Sequence, residues 1–377
     1  MHTTDIDAPS ALLGGLSPRR FMRQHWQKKP LLIRQAWPGV QPPATRAELL
    51  ELAARDDVES RLVVHHGSGL ADWRLKRGPL SRRQLPPLKQ PGWTLLVQGL
   101  DTHLVAARAM LERFRFVPDA RLDDLMMSWA SEGGGVGPHV DSYDVFLLQV
   151  AGRRRWRIAP PGDSGFVPGL PLRILQQFEP EQEWLLEAGD MLYLPPMWAH
   201  DGVAEGPDCM TCSMGFRVPA RDALAADVLQ SLADADEPGP LYRDPSQPAT
   251  ANPGRIPEGL QRFALDAVRR RLSREASVHR ALGEVLTEPK ANTWFPAGAE
   301  WRAGEGVALD QRSRMMYDDE HVYINGESVL ARGVDGRLAR QLADRRELSP
   351  QACRRFSPAA WALVAEWVSD GWAHPKG

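Results

Sequence analysis

The chain is short of cysteine, of net charge and of uninterrupted apolar sequence, and each shortage removes a class of protein. Three cysteines in 377 residues cannot build a closed disulfide framework, and an odd count suits a reducing compartment. Cys209 and Cys212 lie three apart, a spacing that sends side chains to opposite faces of a strand. With no second pair to complete a four-thiolate zinc site, both are expected to be structural. The 46 basic and 48 acidic side chains leave a formal charge of −2, so bulk attraction to nucleic acid or to an anionic membrane is not expected. No apolar run reaches the roughly 18 residues of a membrane span. The opening Met1-His-Thr-Thr-Asp-Ile-Asp carries acids where a signal peptide has basic residues leading into an apolar stretch, so the cytoplasm is the expected compartment.

What is present is a globular composition, 43% hydrophobic and 25% charged, in a chain long enough for two or three domains. Its most informative run is Gly133-Gly-Gly-Val-Gly-Pro-His139-Val-Asp141, followed much later by Gly189-Asp-Met-Leu-Tyr-Leu-Pro-Pro-Met-Trp-Ala-His200. Two imidazoles and one carboxylate on one face of a metal leave other positions open for a co-substrate and oxygen, the ligand pattern of a non-haem Fe(II) oxygenase. A His-x-acid pair alone is weak evidence, because 10 histidines and 48 acids in 377 residues produce about one by chance. The context adds weight: both halves sit where short extended runs bounded by Gly and Pro begin or end.

Between them, Asp144-Val-Phe-Leu-Leu-Gln-Val150 reads as a strand, Ala151-Gly152 as a tight turn and Arg153-Arg-Arg-Trp-Arg-Ile158 as the hairpin partner. A period of two then puts Arg153, Arg155 and Arg157 on one face, and Arg154 with Trp156 and Ile158 on the other. A guanidinium on an apolar face needs an anion. Either a structural Asp or Glu supplies it, or Arg154 holds the distal carboxylate of 2-oxoglutarate.

The runs Asp123-Asp-Leu-Met-Met-Ser128, Gly133 to Asp141, Tyr143-Asp-Val-Phe, Gly152-Arg-Arg-Arg-Trp156 and Gly189 to Pro196, preceded by Phe21-Met-Arg-Gln-His-Trp-Gln-Lys-Lys-Pro-Leu-Leu-Ile33 and Ser60-Arg-Leu-Val63, resemble the bacterial ribosomal oxygenases of the JmjC class. The resemblance covers most of residues 17–220 and rests on several motifs in the same order. It implies a mainly β fold with α: a double-stranded β-helix core of the cupin/JmjC type, a helical dimerisation region and a C-terminal winged-helix-like domain. It further implies His139, Asp141 and His200 as ligands of Fe(II), Arg154 as the anchor of 2-oxoglutarate, and O2 as second co-substrate. Ser128 and Ser213 are candidates for further contacts with 2-oxoglutarate. The implied reaction hydroxylates the β-carbon of an arginine in the sixteenth large-subunit ribosomal protein. A pocket for that cation calls for a carboxylate, for which Asp123, Asp124 and Asp144 are candidates, with Tyr143 as a pocket wall. The alternatives are an oxygenase of the same class acting on histidine or methyl-lysine, and a non-redox metal-binding cupin.

Along the chain, Ser17-Pro18 opens a helix through about Gln27, Leu31–Ile33 begins a strand, residues 45–56 form a helix and Leu95–Val97 lies in a strand. Three segments are expected: residues 1–220 as the oxygenase domain, 221–294 as a helical dimerisation region and 295–377 as the winged-helix-like domain. Residues 221–235 are helical, Glu237–Pro257 is a Pro/Gly-rich connection, and Leu260, Phe263, Ala264, Ala267, Val268 and Leu272 recur at helical spacing, with a further helix over about 275–286. That stripe serves either packing within the chain or, as the resemblance implies, a homodimer. In the last segment Val307–Met316 and His321–Leu330 suggest strands with an Asn325-Gly326 turn, and Ser349-Pro350 and Ser357-Pro358 start helices. Residues 296–377 hold 11 basic and 12 acidic side chains, which does not favour direct DNA binding.

Overall fold

A computed structural model of the chain describes residues 5–65, 67, 72–234 and 239–376. The first four residues of the opening segment and residues 237–238 of the connection lie outside the described residues. The chain forms two compact units, Met1–Val218 with Ala291–Phe295, and Pro219–Lys290 with Pro296–Gly377.

The first unit is built on one antiparallel sheet. Its strands are β1 (Leu31–Ile33), β2 (Ser60–His65), β3 (Trp73–Arg77), β4 (Trp93–Val97), β5 (Leu122–Ala130), β6 (Val145–Ala159), β7 (Gln182–Glu187), β8 (Met191–Leu194) and β9 (Ala199–Phe216). They run β1-β8-β6-β9-β5-β4-β2-β3, with β7 also on β6. Helix α1 (Pro18–Gln24) starts as its sequence requires, with Ser17 accepting from the Arg20 amide and proline in the first turn. It stops short of Gln27 because that residue turns left-handed, at φ 55°, and its amide donates to the Tyr193 hydroxyl. Helix α2 (Arg46–Ala53) opens on a reciprocal Thr45–Glu48 cap. Helices α3 (Leu100–His103) and α4 (Val105–Glu112) follow β4. The core gathers Phe21, Trp93, Trp129, Phe146, Tyr193 and Phe216, all buried.

The expected hairpin at Ala151-Gly152 is not there. Val145–Ala159 is a single 15-residue strand, paired along its length with the 18-residue β9. The feature that mimics a turn is a bulged stretch, with register shifts between Gln149 and Ala151 and between Ala151 and Arg153. Gly152 takes φ 64° there, and a Cβ on it would lie 2.9 Å from the Asp208 carbonyl oxygen. Glycine thus lets the strand kink against β9 without reversing. Residues 153–158 pair with β7 on one side and β9 on the other, and the expected alternation survives, with Arg154, Trp156 and Ile158 buried. Cys209 and Cys212 do diverge: Cys209 packs with Ala130 and Ala204, and Cys212 enters the main core.

The second unit begins with α5 (Arg221–Asp234), α6 (Glu258–Leu272) and α7 (Glu275–Thr287). Two three-stranded sheets follow, β14-β10-β15 and β11-β12-β13. Their strands are β10 (Gly306–Leu309), β11 (Met315–Tyr317), β12 (His321–Ile324), β13 (Glu327–Leu330), β14 (Glu347–Leu348) and β15 (Ala373–Lys376). The stretch Val307–Met316 therefore divides between two sheets, broken where the Ser313 amide bonds the Asp310 carbonyl. Asn325-Gly326 makes the expected two-residue hairpin, with Ile324 opposite Glu327. Helices α8 (Gly333–Arg345), α9 (Pro350–Cys353) and α10 (Pro358–Ser369) complete the unit. The last two carry serine caps with proline in the first turn.

Candidate metal centre

His139 and His200 are 61 positions apart in sequence, and reciprocal backbone hydrogen bonds join them: each amide donates to the other's carbonyl, at 3.0 and 2.9 Å. The glycine run makes the approach possible, since a Cβ on Gly135 would lie 2.6 Å from the Gly202 carbonyl oxygen on β9. The carbonyl of Asp141 accepts from the Met197 amide at 2.7 Å, holding the Asp141 end of the loop against the turn that precedes β9.

The two Nδ1 atoms lie 2.8 Å from the Gly137 carbonyl and 2.9 Å from the Trp198 carbonyl. A carbonyl only accepts, so each Nδ1 carries the proton and each Nε2 presents a lone pair. The Asp141 carboxylate lies 3.9 Å from His139 Nε2 and 3.6 Å from His200 Nε2. Burial, with His139 adding to it, pushes His200 down to about 4 and keeps its imidazole neutral. Two lone pairs and a carboxylate therefore converge, with donor atoms within 4.8 Å of one another. Such a set offers a cation three donors, and imidazole with carboxylate suits Fe(II).

The triad faces a cavity of about 480 Å³ bounded by β2, β3, β4, β5, β6 and β9. Arg154 lines it and is 3% exposed. Among the described residues no acidic side chain meets its guanidinium, so the structural ion pair that the sequence allows does not form. Its Nε donates to Cys209 Sγ at 3.5 Å, its charge lies 5.6 Å from the Trp156 ring, and its buried Nη2 has no partner. Two of the three arginines on the other face do find acids: Arg155 pairs with Glu183 and Glu205, and Arg157 with Asp201. A buried cation without an anion, beside a metal-donor set, fits a carboxylate ligand.

Cys209 also accepts from Gln149 Nε2 at 3.3 Å, and Gln149 Oε1 accepts from the Thr211 hydroxyl at 2.9 Å. Gln149, Cys209 and Thr211 thus brace Arg154 at the bulge. Sequence reasoning missed this brace because it placed a turn there. The polar Thr211 in the same alternation as Ser213 was the one available signal.

Ser128 and Ser213 both line the cavity, and the Ser128 hydroxyl lies 3.5 Å from the Thr211 carbonyl. Asp123, Asp124 and Tyr143 line it too. Asp123 is 3.3 Å from Arg217, and Asp124 accepts from the Gly99 amide at 2.9 Å. Burial and the nearby Asp141 carboxylate push the Tyr143 hydroxyl well above its ordinary range, so it is a neutral donor. Asp144 does not belong with them. It is fully buried and accepts from the Tyr193 hydroxyl at 2.6 Å and from Gln27 at 2.9 Å, with Arg121 at 3.6 Å. Strand alternation turns it into the core, where it ties the N-terminal segment to β8. Arg61, from the Ser60-Arg-Leu-Val63 run, also lines the cavity, as do Arg77, Thr94, Gln98 and Arg173 on positions that the motifs did not mark.

The JmjC domain family matches residues 109–224, and the ROXA-like winged helix family matches residues 268–374. Ribosomal protein uL16 3-hydroxylase of Escherichia coli (strain K12) is 36% identical over 237 residues, which are 63% of this chain and 62% of that protein. The chain thus spans less than two thirds of that curated relative. The X-ray structure of E. coli YcfD superposes with a TM-score of 0.81 at 27% identity, over 95% of this chain and 98% of that one. The structure of YcfD, a ribosomal oxygenase from E. coli, in complex with cobalt and 2-oxoglutarate superposes with a TM-score of 0.76 at 28% identity, over 96% and 99% of the two chains.

Sheet, donor set and anion pocket together define a JmjC domain with a double-stranded β-helix core, followed by a winged helix, as the motif resemblance implied. Within that class, the chain is similar to the ribosomal oxygenases.

Proposed function

We propose that this protein is an Fe(II)- and 2-oxoglutarate-dependent hydroxylase acting on the β-carbon of an arginine in ribosomal protein uL16, a soluble partner in the cytoplasm. The observation that carries the reading is the shared cavity: three convergent metal donors and, on the same wall, a buried arginine that no described acid neutralises. The uL16 substrate named for the E. coli relative supports the choice of target.

In this reading His139, Asp141 and His200 hold the metal, and Arg154 receives the distal carboxylate of the co-substrate, with Ser128 and Ser213 beside it. Bound Fe(II), 2-oxoglutarate and O2 supply the oxidising power for an unactivated C–H bond, coupled to decarboxylation to succinate. The chain supplies position and exclusion. Carbonyl partners on both Nδ1 atoms fix the direction of the donor lone pairs. Trp156, Leu147 and Val145 line the inner cavity and keep water from competing. Asp123 and Asp124, with the neutral Tyr143 hydroxyl, are the acceptor and wall available to a target guanidinium.

The test is anaerobic loading with Fe(II) and 2-oxoglutarate, then oxygen and a uL16 fragment, with succinate and peptide mass followed together. Stoichiometric succinate and one added oxygen on arginine is the expected result. Succinate with an unmodified arginine would discard the substrate, and neither product despite bound metal would favour a non-redox cupin.

The same reading includes a homodimer through α6. That helix buries no residue within the chain, while Leu260, Leu265, Val268 and Leu272 stay 38, 48, 55 and 45% exposed. A stripe of that kind needs a partner surface. Sedimentation should give a dimer that Val268→Glu converts to monomer; a monomeric wild type would refute the assignment.

A further inference from the structure

A second group of cations in the same cavity has no role in that reading. The strand register sets Arg61 of β2 directly opposite Arg77 of β3, and both line the cavity that holds the triad. Like charges directly opposite each other on a sheet are destabilising unless an anion joins them. Elsewhere on the sheet such anions are present, as for Arg155 and Arg157. Among the described residues, neither Arg61 nor Arg77 has an acidic partner. The Nη2 of Arg61 lies against the Met126 sulfur at 3.9 Å, and its buried Nε has no acceptor among the described residues. Of the cavity acids on β5, Asp123 pairs with Arg217 and Asp124 accepts from the Gly99 amide, and neither forms an ion pair with Arg61 or Arg77.

The co-substrate anchor is a separate place. Across the sheet Arg61 stands opposite Leu96, Leu96 opposite Ser128, and Ser128 opposite Thr211. Three strand spacings of about 4.8 Å put Arg61 roughly 14 Å along the sheet from the β9 segment that braces Arg154. Beside the pair the cavity wall carries the apolar Val63, Leu75, Leu96 and Met126, while the stretch across β4 and β5 toward Arg154 also presents Thr94, Asp124 and Ser128. Apolar walls lower the local dielectric and strengthen a charge pair formed there.

We propose that Arg61 and Arg77 form a carboxylate subsite that engages an acidic side chain of the substrate polypeptide near the target residue. The proposal rests on the hydroxylase reading and adds a sequence requirement to it. The planar forks of two opposed arginines match a carboxylate, and the orphaned Nε of Arg61 gains the acceptor it lacks. A substrate segment would then be held at two points, its target side chain at the metal and its flanking acid at the β2–β3 rim.

The experiment measures peptide binding to the full chain loaded with Mn(II) and an unreactive oxalyl analogue of 2-oxoglutarate, by fluorescence anisotropy. The probes are short peptides with one arginine and one glutamate moved stepwise along an otherwise neutral sequence, each with its glutamine counterpart. One placement of glutamate should bind about tenfold tighter than glutamine, as for a desolvated charge pair. That preference should vanish in Arg61→Gln and Arg77→Gln and survive in part in Arg61→Lys. Analogue binding to each variant checks that the fold and the Arg154 pocket are intact. Equal binding of glutamate and glutamine peptides at every placement, or a preference that persists in both glutamine variants, overturns the proposal. Succinate that competes with the glutamate peptide in wild type but binds neither glutamine variant would assign the pair to a free dicarboxylate and overturn it as well. Peptide-free succinate production by the iron-loaded wild type tests the hydroxylase reading independently of this comparison.

Discussion

Arg154→Met has opposite expected effects on stability and on ligand binding. In the ligand-free protein Arg154 is 3% exposed and meets no described acid, with a weak sulfur contact at 3.5 Å and the Trp156 ring at 5.6 Å to offset its desolvation. Replacing a poorly compensated buried charge by an apolar chain of similar length stabilises by about 1–4 kcal/mol. For a unit of this size each kcal/mol moves the melting temperature by roughly 2–4 °C, so the metal-free, ligand-free variant should melt several degrees higher than wild type. Binding should move the other way. Removing one partner of a buried, hydrogen-bonded charge pair costs about 2–5 kcal/mol, which is a loss of roughly 30-fold or more in affinity for 2-oxoglutarate. Differential scanning fluorimetry, with and without the diacid, reads both effects on one sample. A variant that melts lower without ligand and binds 2-oxoglutarate as wild type does would refute the argument, because Arg154 would then be an ordinary structural cation.

Three further outcomes follow from the same geometry. Asp141→Ala leaves two imidazoles to hold the metal, and Co(II) titration followed by visible absorption should show affinity falling at least about 100-fold; unchanged affinity would reject the triad. Cys209→Ala removes the acceptor of Arg154 Nε and of Gln149 and should weaken 2-oxoglutarate binding about fivefold, the value of one lost hydrogen bond. Cys209→Ser should restore most of it, and equal binding in both variants would refute the brace. Asp144→Ala strips the buried partner of Tyr193, Gln27 and Arg121 and should cost about 3–5 kcal/mol in urea unfolding. Peptide affinity in the folded variant should not change, and a selective loss of peptide binding would return Asp144 to the site.

Much of the centre was legible before any fold was drawn. The Gly-rich run before His139, the strand ending in Pro-Pro before His200 and the odd arginine at position 154 each break a local rule, a turn in one case and a polar residue on an apolar face in another. Functional side chains tend to leave such traces because local preference and global role conflict there. Asp144 left the same trace as Asp123 and Asp124, an acid beside the motif, and only the turn of the strand separated them.

By itself the sequence determined the helix caps at Ser17, Thr45, Ser349 and Ser357, the alternation on residues 153–158 and the Asn325-Gly326 hairpin, since each depends on contacts within a few residues. Tertiary structure decided what depends on partners far along the chain. Ala151-Gly152 satisfies the local signature of a turn, yet pairing with β9 on one flank makes a bulged, continuous strand the lower-energy state, because it keeps both ladders bonded. The facing of Arg61 and Arg77, the brace of Cys209 behind Arg154 and the lack of a described acid at either place are likewise set by strand register. Register is a long-range quantity, and one residue of slip would send every one of these side chains to the other face.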